Sequence, residues 1–227
     1  MITKIYLVRH TQTIGNVEKR LTGREDYPVT EDGQKYIDAV TDRLREIKFD
    51  AVYSSTTGRA IKTVKPLAEQ NGLGIETTEE LCEMYFGIYD GWKWEDVNKV
   101  NSAIKEGQNM TNEIVGISEQ ESTETVASRM YACIRRIAME NSGKIILIGS
   151  HGVAIEAFLR KVTGEPFLAK IQEYSQKNTA VNILDYDSER DCFELKLLND
   201  ISHLDRFRVK EGELTDCIIK PEDGNER

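Results

Sequence analysis

Apolar residues along this chain fall into two kinds of run. Short unbroken blocks read as buried strands: Ile5-Tyr6-Leu7-Val8, which ends in Arg9-His10, and 144–149, with four consecutive apolar residues, are the clearest. Residues 50–54 and the weaker Ile75-Glu76-Thr77 read as two further strands, and 179–186 with 192–198 as a hairpin. Helical spacing fills the gaps between them. Thr30 caps a pattern running to about Ile47, with Ile37, Val40, Leu44 and Ile47 on one face. Ile61, Val64 and Leu67 mark a helix over about 57–70 that Pro66 is expected to kink, with Gly72 and Gly74 at its exit. Val126, Met130, Cys133, Ile134 and Ile137 mark another over about 122–141, closed by Ser142-Gly143. Ser150-His151-Gly152 is a sharp turn into a helix over 153–162.

Strands alternating with helices indicate an α/β fold, here a three-layer α/β/α sandwich with a mostly parallel central sheet. At 227 residues the chain suits a single domain, placed at 1–220. The stretch 88–118 is polar and holds Trp92 and Trp94; it reads as an insertion or lid with a short helix near 92–102 and a loop near 106–118. The two tryptophans fit a substrate pocket or packing beneath that insertion. Residues 221–227 read as a polar, disordered tail.

Charge narrows the function classes. Thirty Lys and Arg against 39 Asp and Glu give a net charge of −9, and the pI is about 5.0, so no nucleic-acid partner is expected. No apolar run approaches the ~20 residues of a spanning helix, so no membrane partner is expected. The N-terminus lacks a basic, cleavable leader pattern, and the expected location is cytoplasmic. Cys82, Cys133, Cys192 and Cys217 form no C-x-x-C and read as free, mostly buried thiols. His10, His151 and His203 show no metal-ligand spacing; no metal and no cofactor are expected, and His203 reads as a hydrogen-bonded structural histidine. No heptad or interface stripe fixes an oligomeric state, and a homodimer stays open.

The chemistry gathers just past strand ends, where open α/β sheets bind ligands. Arg9-His10-Thr11-Gln12-Thr13 with Asn16 follows the first strand, Ser55 to Arg59 the second, Leu81-Cys82-Glu83 the third, and Ser150-His151-Gly152 the fourth. If those strands are neighbours, two guanidinium groups, two imidazoles and one carboxylate share one pocket. Such a pocket suits a dianionic phosphate, which arginine grips with paired N–H donors.

Four ordered motifs resemble the histidine phosphatase superfamily, the phosphoglycerate mutase-like proteins. They are Leu7-Val8-Arg9-His10-Thr11-Gln12-Thr13 with Asn16, Ser55-x-x-x-Arg59-Ala60-x-x-Thr63, Leu81-x-Glu83 with Phe86-Gly87 and Asp90-Gly91, and Gly149-Ser150-His151-Gly152. The resemblance spans about 2–203. It implies that His10 is the nucleophile of a phosphohistidine intermediate and that Glu83 is the general acid and base. It implies that Arg9, Arg59, His151 and Asn16 hold the transferring phosphoryl group, with Thr22 and Gly23 also touching substrate. Thr11 stands where many members carry glycine, which would bring a β-branched side chain near the phosphate. Mutase members carry paired arginines after the acid segment, whereas 91–118 holds only Lys93, Lys99 and Lys105. The expected activity is therefore a metal-independent phosphatase acting on a small phosphorylated metabolite. The alternatives are phosphoglycerate mutase-type transfer and a non-catalytic phospho-ligand binding module.

Overall fold

The computed structural model describes residues 1–105, 120–167 and 169–207. Six strands form one sheet: β1 (Ile2–Arg9), β2 (Ala51–Ser54), β3 (Ile75–Thr77), β4 (Ile145–Ser150), β5 (Val181–Asp187) and β6 (Cys192–Asp200). Their order is β3-β2-β4-β1-β5-β6. The first four run parallel, and β5 and β6 close one side as an antiparallel hairpin. The helices are α1 (Ile14–Val17), α2 (Glu31–Leu44), α3 (Gly58–Gln70), α4 (Trp94–Lys105), α5 (Thr123–Glu140), α6 (Gly152–Thr163) and α7 (Ile171–Tyr174).

The two-residue period of a strand divides the core between the faces of the sheet. Tyr6, Val8, Val52 and Leu147 pack on one side against Val40 and Leu44 of α2 and Val64 and Leu67 of α3. Ile5, Leu7, Ile146, Ile148 and Leu184 pack on the other against Met130 and Ile134 of α5 and Ile155 and Phe158 of α6. This is a three-layer α/β/α sandwich. Helix starts follow the sequence signals. Thr30 accepts from the Gly33 N–H at 2.9 Å and Ser122 from the Thr125 N–H at 3.1 Å.

Three expectations need correction or adjustment. Pro66, expected to kink its helix, lies inside α3, which continues to Gln70; the carbonyl it deprives of a partner belongs to Lys62, on the exposed face of the helix. Cys82 and Cys133 are buried free thiols, but Cys192 is exposed on the edge strand β6; Cys217 lies outside the described residues. The helix expected near 92–102 is α4, and its Trp94, Val97 and Val100 pack on the core. The loop near 106–118 and the tail 221–227 lie outside the described residues.

Candidate active site

Strands β2, β4 and β1 lie side by side and point the same way, so the residues leaving their carboxyl ends meet on one rim. Arg9 pairs with Ser150 in register, and the His10 N–H donates to the Ser150 carbonyl at 2.9 Å. The rings of His10 and His151 consequently face each other, with centroids 5.2 Å apart and planes inclined by 54°. Both histidines are buried.

Their hydrogen bonds fix the proton positions. His10 Nδ1 lies 2.7 Å from the Thr11 carbonyl oxygen, which only accepts. Nδ1 therefore carries the proton and Nε2 keeps its lone pair. His151 Nδ1 receives Arg59 Nη2 at 3.1 Å, and a guanidinium only donates. His151 therefore carries its proton on Nε2, 2.7 Å from Ser55 Oγ. Burial, then the charges of Arg59 and Arg9, hold the His10 pKa well below the ordinary histidine value. Burial, then Arg59 and His10, do the same for His151.

A stability prediction follows. Above the ordinary value of 6.5 both rings are neutral, folded or unfolded. Below it the unfolded chain takes up two protons that the folded state resists. Stability should therefore fall with decreasing pH by up to about 2.7 kcal/mol per unit from this pair, starting near 6.5. Thermal unfolding between pH 7 and 5 measures it; a His10→Asn, His151→Asn double variant that keeps the wild-type slope would contradict it.

Arg59, fully buried in the first turn of α3, is held on nearly all sides. Its Nη1 donates to the Glu25 carbonyl (2.6 Å) and Asp26 Oδ1 (3.2 Å). Its Nη2 also reaches the carbonyls of Thr22 (3.0 Å) and Gly23 (2.8 Å). Arg9 donates through Nη1 to the Gln176 carbonyl and lies against Gly152, where a Cβ would come within 3.3 Å of Arg9 Nε. Asn16 Oδ1 accepts from the Thr13 N–H at 3.0 Å and from Asn178 Nδ2 at 3.3 Å. Three buried donors of these residues are left without a partner: Arg9 Nε, Arg59 Nε and Asn16 Nδ2. Unpaired buried donors are costly, so their collection around one imidazole marks a place built for acceptors.

Glu83 reaches the same place from the loop after β3. Its Oε1 accepts from the N–H groups of Met84 (2.8 Å) and Ala154 (2.9 Å), and Oε2 from that of Val153 (3.1 Å). The start of α6 thus fixes both histidine and carboxylate, since it begins one residue after His151. Glu83 and His10 line one cavity, together with Arg9, Thr22, Trp94, Gly152, Glu156 and Gln176. Trp94 brings a further buried donor without a partner, its indole N–H.

The sequence-derived site residues fall into two groups. Arg9, His10, Thr22 and Glu83 line the cavity. Arg59, His151 and Asn16 are not part of its lining; Arg59 bonds to His151, whose ring faces His10, and Asn16 is linked to the His10 carbonyl through Asn178. Gly23 stands farther back. Its N–H donates to Asp90 Oδ1 at 2.8 Å, and a Cβ there would meet the Met84 carbonyl at 2.7 Å. Thr11 does not crowd the pocket: its hydroxyl donates to the Gly33 carbonyl at 2.6 Å, and its N–H to Thr63 Oγ1 at 2.9 Å.

Several supporting residues carry no sequence signal. Arg129 of α5 donates to the carbonyls of Glu80, Cys82 and Glu83 at 2.8–3.0 Å, and clamps the acid-bearing loop. Asn178 donates to the His10 carbonyl at 3.1 Å, and Thr179 beside it holds a φ of 56°, costly for a β-branched residue. His203 steadies that turn through Thr179 Oγ1 at 3.0 Å. Arg20 also lines the cavity, paired with Glu18 at 2.5 Å and the Gly91 carbonyl at 2.8 Å. An arginine missing from 91–118 is thus present at the rim from another segment. Trp92 is partly exposed and stacks edge-on to Tyr89, away from the cavity lining.

The chain is similar to known proteins over most of its length. A family model described as histidine phosphatase superfamily (branch 1) matches residues 5–201. A protein of Shigella dysenteriae serotype 1 named "Probable phosphoglycerate mutase GpmB" is 27% identical over 217 residues, covering 92% of this chain and 98% of that protein. The structure of Bacillus stearothermophilus YhfR superposes with a TM-score of 0.77 at 25% identity, over 89% of this chain and 99% of that one. A phosphoserine phosphatase from Entamoeba histolytica shares the fold with a TM-score of 0.73 at 21% identity, over 89% and 99% of the two chains.

Proposed function

The chain belongs to the histidine phosphatase superfamily, and on that premise we propose that it hydrolyses small phosphomonoesters through a phosphohistidine at residue 10. The observation that carries this reading is the trio of unpartnered buried donors, Arg9 Nε, Arg59 Nε and Asn16 Nδ2, around an imidazole whose Nε2 lone pair is free of a proton.

In the proposed cycle, the substrate's phosphoryl oxygens take up those donors. His10 Nε2 attacks phosphorus, the N–P bond forms and the ester P–O bond breaks. The guanidinium charges of Arg9 and Arg59 match negative charge as it spreads over the oxygens, where stabilisation raises the rate. Glu83 gives its proton to the departing alkoxide. It then takes a proton from water, whose oxygen attacks the phosphohistidine and releases phosphate and neutral His10. The arginines supply the positive charge, and the cycle calls for no metal ion.

Glu83→Gln tests the acid role. An alkoxide needs a proton to leave and a nitrophenolate does not. The variant should therefore lose about 10³-fold in kcat on an alkyl phosphate and about tenfold or less on p-nitrophenyl phosphate. Equal losses on both would remove Glu83 from that role.

A second reading, return of the phosphoryl group to another hydroxyl of the same substrate, is favoured by the name of the Shigella relative. Phosphate release from p-nitrophenyl phosphate with no stimulation by a bisphosphoglycerate supports the phosphatase; isomerisation of a phosphoglycerate that requires the bisphosphate supports the mutase.

A further inference from the structure

We propose that Glu156 is a specificity-determining residue, selecting phosphomonoesters whose leaving group carries an ammonium group. The inference rests on the cavity being a phosphomonoester site, and adds what the leaving group must look like.

Glu156 is 9% exposed and lines the cavity with His10 and Glu83. It accepts two bonds from Arg160, Nε at 3.0 Å and Nη2 at 2.9 Å, and both fall on Oε1. Oε2 has no hydrogen-bond partner among the described residues. Arg160 is occupied elsewhere: its Nη1 donates to the carbonyls of Pro166 and Ala169, each at 2.6 Å, and its guanidinium lies 4.5 Å from the centre of the Tyr174 ring. Arg160 therefore anchors the turn after α6 and approaches Glu156 from one side only. The other carboxylate oxygen is left for whatever enters the cavity.

Position narrows the ligand. Val153 holds Glu83, and Glu156 follows it by three residues on the same face of α6, a rise of about 4.5 Å. A group held by Glu156 thus belongs to the part of the substrate that lies in the same cavity as Glu83. Chemistry narrows it further. Burial pushes the Glu156 pKa up, and a full positive charge beside Oε2 offsets that cost to its ionised form. A hydroxyl offers only a neutral hydrogen bond, and a carboxylate or second phosphate at that place is repelled.

Matched substrates test this in the wild-type protein. O-phosphoserine and 3-phosphoglycerate differ by ammonium against hydroxyl on one carbon, as do phosphoethanolamine and 2-hydroxyethyl phosphate. The amine should be preferred in each pair by about tenfold or more in kcat/KM, and Glu156→Gln should shrink that preference to about threefold or less by slowing the amine substrates. Equal rates within each pair for the wild type would overturn the proposal, whatever the variant does. Absence of hydrolysis for all four and for p-nitrophenyl phosphate would instead overturn the phosphatase reading itself.

Discussion

Alanine at position 10 is expected to lower kcat for phosphomonoester hydrolysis by about 10⁴-fold or more, as loss of an attacking group does elsewhere. Inorganic phosphate should still bind to that variant. The two properties separate because different atoms carry them. In the proposed cycle the anion is gripped by Arg9, Arg59 and Asn16, which owe their positions to Gln176, the 22–26 loop and Thr13 rather than to His10. Only Nε2 of His10 can form the bond to phosphorus. His151, though it faces His10, points its Nδ1 lone pair at Arg59. Kinetics on p-nitrophenyl phosphate and phosphate titration followed by calorimetry check both halves. Turnover within a hundredfold of wild type would exclude His10 as the nucleophile.

Arg59→Met should give the second largest effect, a loss of about 10³-fold in kcat/KM together with a clear loss of stability, about 3 kcal/mol or more. Methionine fills much of the volume but leaves the carbonyls of Thr22, Gly23 and Glu25 without their donor. It also removes one of the two fixed charges that keep His10 neutral. Arg59→Lys should fall between the two, since it restores charge but not the fork that serves several acceptors at once. Denaturant unfolding and steady-state kinetics report the two losses separately. A methionine variant within tenfold of wild type in kcat/KM would mean that Arg59 only braces the loop.

Much of this architecture could be read from residue order. The run Ile5 to Val8 ends at a pair of charged and titratable residues, and a buried strand that stops at Arg9-His10 presents them at a sheet edge. The same logic placed Arg59, Glu83 and His151, because parallel strands turn their carboxyl ends to one side. What residue order did not show arrives through tertiary contact. Arg129 looks like any surface arginine on an amphipathic helix, yet its guanidinium gathers three carbonyls of the Glu83 loop. Gln176 and Asn178 sit in an aperiodic turn before β5, and only the pairing of β5 with β1 brings that turn over His10. Arg20 lies outside 91–118, where the resemblance puts the rim arginines, yet the cavity is lined from both segments.

The stereochemical course at phosphorus tests the central claim most directly. Hydrolysis of a phosphomonoester made chiral with oxygen isotopes passes, in this account, through two in-line displacements, one by His10 and one by water. The released phosphate should therefore show net retention of configuration. Net inversion would mean that water attacks the substrate directly, and that His10 never carries the phosphoryl group.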